Sequence, residues 1–352
     1  MHNKYFFLLI CLILAPNIFS QESIDPYAVQ DSLDIYTDIF AEEYPGLITM
    51  KFDRKEFQKK SNEDKYLKAE LIYHLEDSTQ DRHHTVRIKA RGKNRRETCA
   101  FPPFWINIRK ADITNKHLQN TTKIKLVTHC GGGKSFESYV LKEFLAYKIY
   151  NLISPYSFRV RLIRIKYIDT SRKDKVTESW SFLIEPEKML AERLDMIPLK
   201  SDYASIRDTD TLWTSTMSIF QLMVGNADYS VAGRHNVKLL KSKDYTKTSV
   251  IPVPYDFDYC GLVNAHYAVP GETLGLKSVK QRYFLGPCRS PEYYQDIINE
   301  FAEDKKDILD LVSGFEYLSD RDKTNVADYL NEFFSEITHD RYIQRVILST
   351  CR

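Results

Sequence analysis

Between Gly225 and Gly261 the chain commits itself to an order of elements that few folds can accommodate. Upstream, Trp213, Met217, Phe220 and Val224 recur at helical spacing, and Gly225 stands where a helix-ending glycine belongs. That helix delivers Asn226 and Asp228 to a loop. Arg234, His235 and Asn236 then lead into the strand-like run Val237 to Leu240. A polar insert separates this run from Ile251-Pro252-Val253-Pro254-Tyr255, which is too rich in proline for a central strand. It fits an edge or a short extended run that places Asp256 at its end, with Asp258 two residues on. Asp, Asn and Asp on neighbouring loops and strand ends offer oxygen ligands to a hard divalent cation. In phosphoryl transfer such a set divides the work: the first Asp orients the nucleophile, while the Asn and the later Asp hold metal.

The first half reads as strands. Val86, Ile88 and Ala90 alternate with Arg87, Lys89 and Arg91, the clearest period-two pattern in the chain. Further strands are expected at 47–52, 67–75, 104–108, 124–130, 158–167 and 180–184. Gly131-Gly132-Gly133 then turns the chain into a helix over about 136–152, with Ser135 as its cap. The end of that turn, Gly133-Lys134-Ser135, matches only the tail of a phosphate-binding P-loop, because no glycine stands at the upstream position. A turn into a helix is the preferred reading. An opening helix is expected over 25–40, and helices from Pro291 to the end.

Asn226-x-Asp228, His235-Asn236 before a strand, and Pro254-x-Asp256-x-Asp258 after the next one resemble the catalytic segment of CotH-type atypical kinases, and more distantly that of HipA-type kinases. Val86 to Gly92, followed by Arg95 and Arg96, resembles the segment that opens the CotH amino-terminal lobe. The segment is also similar to one in secreted Bacteroidetes proteins. The resemblance implies an α+β, bilobal protein-kinase-like fold. A strand-rich N-lobe would lie within residues 21–185, and a mostly helical C-lobe over 186–352 would carry the metal site. It implies Asp228 as the group that accepts or orients the acceptor proton, with Asn236, Asp256 and Asp258 holding Mg²⁺ or Mn²⁺. Lys125 would contact the phosphates of ATP, with a glutamate of the following helix, Glu143 in preference to Glu137, orienting the lysine. The backbone around Glu185 would form a hinge for adenine. The acceptor could be a protein, a glycan or a lipid head group. Two departures accompany the resemblance: no Gly-x-Gly-x-x-Gly loop precedes Lys125, and the gap from Asp228 to Asn236 exceeds that of ordinary kinases. An inactive kinase fold used as a binding scaffold is therefore a competing expectation. So is a metal-dependent glycosyl- or nucleotidyltransferase using Asp256 and Asp258.

Residues 1–20 read as a secretory signal, with Lys4 before an apolar stretch too short to span a bilayer. Export suits the cysteines. Without Cys11 five remain, an odd number that leaves one thiol over. The expected pairs are Cys99 with Cys130, both in the strand-rich half, and Cys288 with Cys351, tying back the tail; Cys260 is left free. Metal binding by these thiols is disfavoured because no Cys-x-x-Cys spacing exists. A formal net charge of only +2 argues against a nucleic-acid binder.

Overall fold

Seven strands of the first half close on themselves. The computed structural model describes residues 40, 44–74, 81–113, 122–201 and 204–352. The expected signal segment and nearly all of the expected opening helix lie outside these residues. The strands are β1 (Gly46–Phe52), β2 (Leu67–His74), β3 (Arg82–Ala90), β4 (Phe104–Asn107), β5 (Lys123–Val127), β6 (Val160–Asp169) and β7 (Lys175–Ile184). They run in the order β1-β2-β3-β4-β5-β7-β6 as a closed barrel. The closing pair is parallel, with Gly46 to Phe52 beside Ile163 to Asp169, whereas the other pairings are antiparallel.

This corrects the expected α+β, bilobal protein-kinase-like fold with a strand-rich N-lobe. The first half is a closed barrel within a mixed α/β structure. Closure leaves no edge strand to manage, and alternation explains the filling: Ile48, Met50, Val86, Ile88, Ile106, Ile124, Ile163 and Ile165 are buried. Burying each such side chain contributes about 2 kcal/mol.

Two helices decorate the barrel between strands, α1 (Arg54–Asn62) and the short α2 (Lys93–Thr98). The long helix α3 (Lys134–Ile153) follows the glycine turn. Its N-cap is Gly133, without a side-chain cap hydrogen bond, and Ser135 lies inside the first turn rather than capping it. Nearly every position from Val140 to Tyr150 is buried. The reason is that α3 lies in one continuous core with Phe182 and Ile184 of the barrel and with Ile219, Phe257, Tyr294 and Leu330 of the second half.

The second half contains α4 (Glu187–Arg193), β8 (Met196–Pro198), α5 (Thr211–Val224), β9 (Val237–Ser242) and β10 (Val250–Pro254). The three strands form an antiparallel sheet in the order β10-β9-β8. The proline-bearing run is thus an edge strand, as its missing N–H groups require. Asp210 caps α5 by accepting from the Trp213 amide, and Gly225 ends it at a positive φ of 66°. Helices α6 (Pro291–Glu303), α7 (Lys305–Gly314) and α8 (Asp320–Glu336) complete the fold. The two expected disulfides are present, Cys99–Cys130 and Cys288–Cys351, and Cys260 is a buried free thiol. No helix among the described residues is long and apolar enough to cross a membrane.

Candidate functional site

The Gly225–Gly261 stretch folds back until its two ends touch: the Gly261 amide donates to the Gly225 carbonyl at 3.0 Å, and Leu262 donates to Val224. Between these ends, hydrogen bonds from side chains and backbone fix the polar residues that matter to the site. Buried Asn226 donates through Nδ2 to Gln221 on α5 at 3.0 Å and accepts from the Asp228 amide. The Ser230–His235 bridge turns the loop. It brings His235 Nε2 to 2.9 Å from Asp228 Oδ1, while Asn236 Nδ2 donates to the Asp228 carbonyl at 2.8 Å and to Oδ2 at 3.1 Å. Asp228 thus keeps a half-exposed carboxylate whose orientation two neighbours define. Asn236, at a φ of 52°, passes its carbonyl to the Tyr255 amide and so ties this loop to the Asp256 segment.

Asp256 also has a left-handed backbone, with φ 67°. Its amide donates to Tyr147 Oη at 2.8 Å, and the Tyr147 ring packs on Phe257 with centroids 4.7 Å apart. Tyr147 lies one helical turn after Glu143 on α3, and the two face the same way. One ligand oxygen from each of Glu143, Asp256 and Asp258 lies within 4.8 Å of the others. Into this group the buried Arg95 of α2 sends its guanidinium: Nε donates to Asp258 Oδ2 at 2.6 Å and Nη2 to Glu143 Oε2 at 2.9 Å. Arg91 Nη2 stands 3.6 Å from Asp256 Oδ2.

The electrostatics follow from burial. Desolvation raises the Glu143 and Asp258 carboxyls, and Arg95 only partly offsets it. Burial would raise Asp256 too, but Arg91, Arg95 and Lys125 together hold it below the ordinary carboxylate range. Three carboxyl groups share two guanidiniums, Arg95 between Glu143 and Asp258 and Arg91 beside Asp256, in a poorly solvated place. Glu143 Oε1 is buried with no hydrogen-bond partner among the described residues. Buried charge of one sign calls for a counter-ion, and an all-oxygen donor set suits Mg²⁺ or Mn²⁺.

Beside the acidic group lies a cleft of about 530 Å³, whose lining includes Arg91, Trp105, Lys125, Lys238, Tyr255 and Asp256. Lys125 Nζ sits 3.9 Å above the Tyr255 ring and 5.6 Å from that of Trp105. Desolvation, reinforced by Arg91 and Lys238 against Asp256 and Glu187, pushes its ammonium down to about 7. A cationic, aromatic-walled cleft suits a ligand with phosphates and a flat ring. An anion bound beside Lys125 raises the proton affinity of the amine, so binding takes up a proton above about pH 7. Metal-free tripolyphosphate is therefore expected to lose affinity as pH rises from there, approaching about tenfold per unit. Lys125→Arg, which stays charged, should flatten that part of the profile. Because both proteins share the ligand's own titration, superimposable profiles would show that Lys125 does not titrate.

The expected residues distribute unevenly. Lys125 and Asp256 border one cleft, Asp256 and Asp258 share the acidic group, and Asp228 is close enough for its charge to raise the Asp258 carboxyl. Glu143 does not pair with Lys125; it joins the acidic group and pairs with Arg95. The Asn236 amide nitrogen is taken up by Asp228. The Glu185 side chain borders the cleft, but its carboxylate is bound by Arg159 and Arg193, which makes it a structural anchor. Cys260 is unsuited to nucleophilic work, since burial pushes its thiol up to about 12. Tyr147, Trp105, Tyr255 and Lys238 were missed by sequence reasoning, because an aromatic or a lysine in a regular element carries no local mark of what it faces. No protein-family model matches this chain, and no curated protein matches it either.

Proposed function

We propose that this chain is an exported phosphotransferase that binds a nucleoside triphosphate with a divalent cation and passes a phosphoryl group to an acceptor hydroxyl. The observation that carries this reading is the shared border of two sites with complementary chemistry. The cationic, aromatic cleft and the Glu143/Asp256/Asp258 group meet at Arg91 and Asp256. The resemblance of the Asn226–Asp258 segment to CotH-type kinases supports the same chemistry. Export is supported by the signal-like leader and by the two disulfides.

In this reading Lys125, Arg91 and Lys238 hold phosphate oxygens, and Tyr255 and Trp105 wall the ligand. Asp256, Asp258 and Glu143 hold Mg²⁺ or Mn²⁺, which supplies charge neutralisation on the phosphates. Asp228 takes the proton of the acceptor hydroxyl. His235 and Asn236 fix its carboxylate, which is what a positioned base requires. The acceptor class, whether protein, glycan or lipid head group, is set by surfaces beyond Asp228.

Calorimetry of ATP with Mg²⁺, followed by terminal-phosphate transfer or slow hydrolysis, tests the reading. Binding and release of nucleoside diphosphate are expected. Asp228→Asn should lower kcat by about 10²- to 10³-fold with KM for ATP nearly unchanged. Binding without turnover would favour a scaffold, and release of pyrophosphate would favour nucleotidyl transfer. No binding of any nucleotide would end the proposal.

A further inference from the structure

The Cys99–Cys130 disulfide is connected to the acidic group through a single short helix, which carries Arg95. Cys99 immediately follows α2, and its amide donates to the Arg95 carbonyl at 3.0 Å. Cys130 ends the segment after β5, at the start of the glycine turn into α3. The Phe101 amide donates to the Cys130 carbonyl at 2.8 Å, and Thr128 Oγ1 donates to the Phe101 carbonyl. The disulfide therefore pins the end of α2 to the one strand that carries Lys125 and leads into the helix that carries Glu143. Cys99, Cys130, Arg95, Glu143 and Asp258 are all buried.

Helix α2 has only six residues and begins at Gly92 without a side-chain cap hydrogen bond. A helix that short is marginal without tertiary support. Its ties include the Arg96 pair with Asp64 on the outside, the disulfide at its end, and the guanidinium that Arg95 places between Glu143 and Asp258. The guanidinium also stands 5.9 Å from the Tyr267 ring. Arg95 is at once the counter-ion of the acidic group and the competitor of any divalent cation that enters it. Its grip on two of the three carboxylates lowers the negative charge that such a cation meets.

We infer that Cys99 and Cys130 are positioning residues: their disulfide holds Arg95 in the acidic group and thereby sets the affinity of that group for divalent cations. This inference rests on the proposed function only in assigning the group to a divalent cation. Opening the bridge frees α2 to withdraw Arg95, exposing three carboxylates without their internal guanidinium. A dithiol reductant opens it, becoming a disulfide itself while the bridge becomes two thiols.

Mn²⁺ is the probe, with its binding followed by the loss of free-ion paramagnetic signal at one fixed pH. Arg95→Met is expected to bind Mn²⁺ about tenfold more tightly than the wild type or better, since a positive charge is removed from two ligand oxygens. The Cys99→Ser/Cys130→Ser double variant should shift affinity in the same direction by about threefold or more. In the Arg95→Met background, removal of the bridge should add nothing, as expected for residues that act through one another. The Cys288→Ser/Cys351→Ser pair is the control and should leave Mn²⁺ affinity within about twofold. Should the Cys99/Cys130 variant not fold, a water-soluble phosphine can open the bridge in folded protein. Water supplies the oxygen of the phosphine oxide and the two thiol protons, and mass spectrometry reports which bridge has opened. A bridge whose loss lowers thermal stability but leaves Mn²⁺ affinity unchanged is structural only, and the inference fails. It fails equally if the effect persists without Arg95, or if no variant binds Mn²⁺. A wild type that binds no Mn²⁺ while the variants do would sustain the inference and count against the proposed function.

Discussion

Asp256→Ala is expected to abolish divalent-cation-dependent nucleotide binding and to lower phosphoryl transfer by about 10³-fold or more. Asp256 is the residue shared by both halves of the site. Its carboxylate belongs to the acidic group, it faces Arg91 at 3.6 Å, and it borders the cleft. Removing it subtracts a ligand and leaves Arg91 without its carboxylate. The fold should survive, because the hydrogen bond to Tyr147 comes from the Asp256 backbone amide, which alanine retains. Asp256→Asn is the matched control, since asparagine tolerates the left-handed backbone at this position and removes only the charge. Mn²⁺ titration and transfer of labelled terminal phosphate read the result. Retention of both at wild-type levels would remove the phosphotransferase proposal.

The second large effect concerns stability. Gly225→Ala should destabilise the protein by about 3 kcal/mol, combining a left-handed φ that disfavours a side chain with overpacking of a closed site. At Gly225 an added Cβ would press on Tyr329 Oη, 3.2 Å from its Cζ, and would stand 3.3 Å from the Gly261 amide. None of these can yield cheaply. Tyr329 donates to the Lys280 carbonyl and carries the Arg282 guanidinium 4.0 Å from its ring, and the Gly261 amide is bonded to Gly225 itself. A chain of this size should lose about 4 °C in Tm. The same pressure would part the two ends of the segment that carries Asp228 and Asp256. Thermal unfolding beside nucleotide binding measures both, and an unchanged Tm would show that the contact between the two glycines relaxes freely.

Much of this segment was legible because its signals are local. Helical spacing up to Val224, a helix-ending Gly225 and a proline-rich run before Asp256 each describe a few neighbouring residues, and each element is where that reading expects it. The disulfide pairing was legible for a related reason: two cysteines share the strand-rich half, two flank the last helices, and one is left over. The glycine turn before α3 was correctly read as a turn, although the helix then begins two residues earlier than expected and Ser135 caps nothing.

The closure of the barrel was not legible. A two-residue period states which side chains share a face and says nothing about which strand lies alongside. The decisive pairing joins β1 to β6 in parallel across more than a hundred residues, and no short-range pattern encodes that. Glu143 shows the same limit. Its place on α3 could be read, but its partner could not, because Arg95 is 48 residues earlier and Asp258 is 163 residues beyond Arg95.

What the chain settled by itself is therefore most of the barrel strands and the long helices, the two ends of the central segment and the cysteine pairs, all governed by backbone preference and neighbouring side chains; the short helices, including the one that carries Arg95, were not among them. What only the tertiary structure decided is the company each charge keeps. A buried carboxylate takes its character from whichever cation packing brings within a few ångströms, and that choice is made by the whole fold.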